Sequence, residues 1–276
     1  MKKPLGLIVY KGISQLDGKS PIVAIAPLGK TTNSKIGEST IPIYIIRTDL
    51  SPILAKKLGE DSAVCPSSCI FKNTNSCYVN IGQAPTGIFK SFHRDRYEIL
   101  NNENKKYLEN HILRFASYGD VTAVPINIWQ DLIKISSKNS KKNILSYTHN
   151  WNLKKYQDYK SFSVASVETE VQAKRAQKMG WRTFRAISPG DKILENEISC
   201  PAAKESGYKI SCGKCQRCSG KSEMSKKSEK NIVIQVHGGG KNGWKTRNFL
   251  KGMKLKNQKK KYKIDYQARK DLVYSL

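Results

Sequence analysis

The sequence predicts an α/β fold built as a partial or complete parallel β/α barrel, with an open doubly wound sheet as the rival arrangement. Three observations predict it. Between residues 111 and 187, β-rich runs alternate with stretches of helical pattern, the signature of parallel strands joined by crossover helices. Further β-rich runs stand before this block, and one, NIVIQV at 231–236, stands after it. The chain of 276 residues is long enough to bury a core without disulfides.

The elements follow in order. LGLIVY, PIVAIA and IPIYIIR in the first 50 residues read as strands separated by Gly, Ser, Asn and Lys. TDLSPILAKKLGED reads as a short helix, with Asp49 or Ser51 as its cap, Pro52 in its first turn and Gly59 as its stop. APTGIFKSFHRDRYEIL reads as a helix from Pro85, with a basic face of Lys90, Arg94 and Arg96. Then come a strand at 111–116, a helix from Pro125 with Ile126, Trp129, Leu132 and Ile133 on one side, and a strand at 143–148. A short helix WNLKKYQDY leads to a strand at 161–166. The next helix has Ser166 as its expected cap, Glu168 and Glu170 early, Lys174, Arg175 and Lys178 late, and Gly180 as its stop. A strand at 181–187 closes the alternation.

Residues 1–237 are expected to form a single α/β domain that includes cysteine clusters at 65–77 and 200–218. Residues 238–276 carry 12 Lys and Arg against 2 Asp and read as a basic C-terminal arm, with Lys245, Arg247, Lys259, Lys260 and Lys261 as its expected nucleic-acid contacts. The whole chain has 49 basic and 22 acidic residues, a formal charge of +27. Such a surface attracts polyanions, so nucleic acid is the expected partner, bound with steep salt dependence. No stretch approaches the ~20 apolar residues of a membrane span, and the opening apolar run, 5–10, is too short for a signal peptide. A cytoplasmic chain is expected. In that compartment clustered cysteines bind metal more often than they pair.

The seven cysteines fall into a three and a four. Cys200, Cys212, Cys215 and Cys218 form a complete tetrahedral set, for which Zn²⁺ or a [4Fe–4S] cluster fits equally. Their successive x-x spacings point toward iron–sulfur. Cys65, Cys69 and Cys77 supply only three thiolates. They leave one iron of a [4Fe–4S] cluster open, or they make a closed zinc site with His93 as the fourth ligand, or they form an unmetallated turn.

In parallel α/β folds the chemistry gathers where the strands end. Asp120 follows the strand at 111–116, His149 follows 143–148, Glu168 follows 161–166, and Arg182 and Arg185 lie on 181–187. His237 and three glycines follow the last strand. Asp120, His149 and Arg185 are the expected substrate-lining or catalytic residues.

Two resemblances follow from these residues. The series CPSSC, CYVNIGQAP, LRFASYGD, YTHNW, VASVE, GWRTFR, CPAA, CGKCQRC and VHG, across residues 30–238, resembles an uncharacterised family of bacteriophage and mobile-element proteins. It implies a phage-encoded protein at work in the host cell. More loosely, three cysteines ending in Cys77-Tyr78, near the start of a β/α array and followed by a further cluster, are similar to the radical S-adenosylmethionine enzymes. Cys65-x₃-Cys69 matches that family's first spacing, but seven residues rather than two separate Cys69 from Cys77, and no Gly-Gly-Glu motif follows. The resemblance implies a [4Fe–4S] cluster on Cys65, Cys69 and Cys77, with S-adenosylmethionine as cofactor. The expected function is thus an iron–sulfur enzyme acting on nucleic acid, or a non-catalytic zinc-stabilised DNA- or RNA-binding protein of phage replication or host takeover.

Overall fold

The computed structural model describes residues 3–29, 35–73, 77–137, 144–203, 206–207, 210–220 and 230–236. The chain opens with a meander of β1 (Gly6–Ile13), β2 (Pro21–Pro27) and β3 (Thr40–Arg47), all antiparallel neighbours. Ser51 caps α1 (Pro52–Leu58), accepting from the Leu54 amide, and Gly59 closes it at φ 76°, a left-handed conformation that glycine adopts without strain. Asp49 is not the cap; it pairs with Arg47 at 2.7 Å. Next come α2 (Ile70–Asn73) and α3 (Ala84–Phe92). Helix α3 ends two residues before Asp95, whose φ is +51°, so Arg94 and Arg96 lie in the turn beyond it and do not share a helical face with Lys90. A two-residue strand, β4 (Glu98–Ile99), pairs parallel to β1.

The alternating block is present. It runs β5 (Ile112–Tyr118), α4 (Ile126–Ser136), β6 (Ile144–Leu145), β7 (Tyr147–Thr148), β8 (Val164–Val167), α5 (Glu170–Lys178) and β9 (Thr183–Ile187). β10 (Glu197–Ser199), α6 (Cys212–Cys215) and β11 (Asn231–Gln235) follow. The stretch Lys154–Ser161 is a 3-10 helix kinked at Tyr156. Ser166 lies inside β8 instead of capping α5. The cap is Thr169, in a reciprocal box with Gln172, because the strand runs further than its expected end.

The strands form two mostly parallel sheets, β4-β1-β2-β3-β5-β6 and β7-β8-β9-β11-β10. β6 and β7 are one extended stretch split at Ser146. The Ser146 amide donates to the carbonyl of Cys218 at 3.0 Å, so the second cysteine cluster uses the group that would continue the ladder. No pairing joins β4 to β10 among the described residues, and barrel closure is not seen there.

Side chains alternate across each strand, and the two faces differ. Leu113 and Phe115 of β5, Ile144 of β6, and Ala165 and Val167 of β8 pack with Trp129 and Leu132 of α4 and with Ala173 and Ala176 of α5. Both crossover helices therefore cover the same face. Each fully buried Leu, Ile or Phe there stabilises the fold by about 2 kcal/mol. The other face carries Ile112, Leu145, Tyr147, Phe184, Ala186, Ile232 and Ile234, packed with Cys69, Cys77, Cys200, Cys212 and Cys218. Among the described residues no helix is long and apolar enough to cross a membrane.

Candidate metal centres on the cysteine-bearing face

The first cysteine loop is fastened to the strand ends by a buried polar network. Asp120, directly after β5, accepts from the Thr122 amide (3.0 Å), the Thr122 hydroxyl (2.7 Å), the Thr148 hydroxyl (2.8 Å) and the His149 amide (2.9 Å). Its own amide donates to the Val64 carbonyl at 2.8 Å, one residue before Cys65. Ser68, one residue before Cys69, donates to Asn150 Oδ1 at 3.0 Å, and Asn150 donates in turn to Thr122 Oγ1 at 2.9 Å. Lys72 reaches back to Asp61 at 3.2 Å and to the Cys65 carbonyl at 3.2 Å. Asp120 is thus the keystone of the rim, with every acceptor position directed at protein donors.

His149 stands beside Cys69. Burial works to raise the Cys69 thiol, but the imidazole outweighs it and holds the thiol below its ordinary value. Burial opposes charge on His149, yet Cys69 and Glu168 together carry it well above the ordinary imidazole range. His149 Nε2 lies 3.3 Å from Glu168 Oε1, out of line for a hydrogen bond, and both atoms are buried without a hydrogen-bond partner. Burial pushes the Cys65 thiol well up, with Cys69 and Cys77 adding to it. Burial also raises Cys77, with Cys69 adding. The three thiols and one imidazole therefore form one electrostatic group. The histidine in it is not His93, whose ring packs on Phe89 at 4.3 Å at the end of α3.

The second cluster is built by close backbone approach. Cys212 and Gly213 donate their amides to the carbonyls of Lys35 and Ile36 at 2.7 and 3.0 Å. A Cβ on Gly213 would stand 2.8 Å from Thr40 Oγ1, and one on Gly220 would overlap the Phe162 backbone, so both flanks of the cluster need glycine. Buried Arg182 donates to the carbonyls of Arg217 (2.9 Å), Ser219 (2.9 Å) and Lys230 (3.0 Å) and clamps the strand-following loop around Cys218. Cys200 donates its amide to Val233 at 2.7 Å. Burial raises the Cys218 thiol well above its ordinary value, with Cys200, Cys212 and Cys215 adding and a hydrogen bond from Tyr147 opposing. Burial likewise raises Cys212 and Cys215, and Cys200 adds to both.

No disulfide joins any of the seven cysteines. Among the described residues, no group of three or more His, Cys, Asp or Glu side chains is arranged to hold a metal ion as it stands. The thiols are gathered in two groups without closing on common points.

Of the residues expected at the strand ends, Asp120, His149 and Glu168 come together. Arg185 does not join them. It lies on the face of β9 opposite Phe184 and Ala186, and its guanidinium is spent on Glu197 (2.7 and 2.5 Å) and the Lys192 carbonyl. His237 and the basic arm, with Lys245, Arg247, Lys259, Lys260 and Lys261, lie outside the described residues. Two clefts sit elsewhere, one beside Ile187, Ser199 and Gln235, the other beside Glu98, Asn104 and Tyr107. No protein-family model, curated protein or solved structure matches the chain.

Proposed function

We propose that this chain is an iron–sulfur enzyme acting on nucleic acid, with Cys65, Cys69 and Cys77 holding the reacting centre and Cys200, Cys212, Cys215 and Cys218 a second, fully ligated one. One observation carries the reading. Seven unpaired thiols gather as a three and a four on one face, and within each group burial and the neighbouring sulfurs oppose ionisation. A cation shared by each group removes both penalties, because thiolate is the form a metal binds. The donor set fits. Four thiolates complete a centre, while three leave an iron without protein sulfur. What such a cluster supplies when bound is an electron at an iron with a free coordination position, and the resemblance to radical enzymes adds S-adenosylmethionine as the cofactor that meets it.

The chain's own residues do the rest. Asp120 fixes the backbone at His149. His149, with Glu168 behind it, is the acid–base pair nearest the first centre. The four-cysteine set ties α6 and β10 to the start of β3. The finer architecture belonging to this reading is a partial parallel barrel, because α4 and α5 cover only one face, whereas a doubly wound sheet carries helices on both. The +27 charge steers polyanions to the surface, in the host cytoplasm during phage infection.

A second reading has its own support. His149 beside Cys69 supplies a nitrogen donor, and a Cys₃His zinc site would make the chain a metal-stapled DNA- or RNA-binding protein without a reaction. Anaerobic purification with metal analysis separates the two. The enzyme reading expects iron, acid-labile sulfide and a brown protein absorbing near ~400 nm, with reductive cleavage of S-adenosylmethionine. A colourless protein with about two zinc ions and no iron overturns it in favour of the second.

A further inference from the structure

The pleat of β5 places Arg114 on the same face as Ile112, opposite Leu113 and Phe115. Its register partners are Pro42 on β3 and Leu145 on β6, so it stands mid-sheet between the two cysteine groups. The groups that act most strongly on its guanidinium are Tyr147, Tyr78, Cys212 and Tyr44. No carboxylate is among them, and among the described residues the guanidinium makes no ion pair. That contrasts with the chain's other inward arginines. Arg47 is paired with Asp49 and Glu60, Arg185 with Glu197, and Arg182 with three carbonyls.

The tyrosines give this cation a setting. Tyr147 hydrogen-bonds Cys218 and packs edge-on against Phe184 at 5.0 Å. Tyr78 packs edge-on against Phe71 at 6.2 Å, and Phe71 in turn meets His149 at 6.1 Å. Tyr78 feels Arg114, Cys77, His149 and Cys69 together. It exposes 70% of its surface, yet desolvation raises its hydroxyl. Both hold for a ring lining a hollow that solvent enters. A line of groups therefore runs from Cys69 and His149 through Tyr78 to Arg114, and on through Tyr147 to Cys218 and Cys212.

We propose that Arg114 anchors the phosphate of a nucleotide, free or within a strand, with the phenol hydroxyls as further donors and the open ring of Tyr78 as the stacking surface for its base. A guanidinium presents paired N–H donors that match two oxygens of a phosphate, and base-on-aromatic stacking is tolerant of sequence. An occupant held there lies between the cysteine groups and within reach of the His149 rim. The inference deepens the nucleic-acid reading above and rests on it for the substrate class, while binding at Arg114 needs no metal.

Calorimetric titration of the full chain with inorganic phosphate, with thymidine 5′-monophosphate and with a short oligothymidylate tests it, alongside metal content. The wild-type chain is expected to bind all three. Arg114→Met should weaken each about tenfold or more, and Arg114→Lys by less, because a point charge replaces the fork. Tyr78→Leu should weaken the monophosphate but leave inorganic phosphate unchanged. A stronger effect on the oligonucleotide than on the monophosphate identifies a strand as the source, and the reverse a free nucleotide. Binding that persists unchanged in Arg114→Met overturns the proposal. So does loss of binding only together with metal from the four-cysteine group, which makes Arg114 a counter-ion of Cys212. If Arg114→Met does not fold, Arg114→Lys and Tyr78→Leu decide the matter by the same readings. A chain that holds no metal yet loses phosphate in Arg114→Met sinks the iron–sulfur reading and leaves this site standing.

Discussion

Asp120→Ala is expected to lower the unfolding free energy by about 3–5 kcal/mol, measured by denaturant titration. The carboxylate is 3% exposed and accepts from four donors on three residues. Its removal strands two backbone amides and two hydroxyls in a dry site, and each buried unpaired donor costs about 1–3 kcal/mol. The loss is not confined to stability. The same carboxylate ties the first cysteine loop, through Val64, to the strand end that carries His149. Asp120→Asn keeps the shape and part of the acceptor capacity and should cost clearly less. A loss under about 1 kcal/mol for the alanine variant, within the range of an ordinary surface change, would show that the network does not fasten the rim.

Cys218→Ser should cost more still. Cys218 is 7% exposed, its carbonyl accepts from Ser146 between β6 and β7, and its thiol hydrogen-bonds Tyr147. If the four thiols close around a metal, losing one ligand removes folding free energy on the scale of a whole domain's margin, about 5–15 kcal/mol. The variant is then expected in inclusion bodies or as a protein without cooperative melting. Cys69→Ser should melt close to the wild type, because that loop is held by Asp120, Asn150 and Lys72 independently of its sulfur. Equal, small effects from both serine variants would contradict the division into a stapling centre and a reacting one.

The sequence made the alternating half readable for a physical reason. β5, α4, β8, α5 and β9 each carry a local pattern that agrees with their final packing, and Pro125 and Gly180 mark boundaries that the structure keeps. The errors fall where tertiary contacts decide. Ser166 looks like a cap, but β8 keeps it for the sheet and Thr169 with Gln172 takes the role. Arg94 and Arg96 look like one basic face until the left-handed Asp95 turns the chain. The split at Ser146 depends on a carbonyl 72 residues away at Cys218, a distance no local window spans. At the site, Asp120, His149 and Glu168 were readable from their places after strands. Arg114 was not, since one arginine in LRFASY carries no signal until the pleat and the neighbouring tyrosines are known. His93 was nearer the cysteines in sequence than His149, but α3 carries it to Phe89 and the strand end carries His149 to Cys69.

Metal content per chain, read together with thiol titration, bears most directly on the account. Wild-type protein purified without oxygen should carry two centres and show its seven thiols protected until it is unfolded or chelated. Cys69→Ser should lose one centre and keep the other, and Cys215→Ser should lose the complementary one. A stable, metal-free wild-type chain whose thiols all react with reagent would contradict the account.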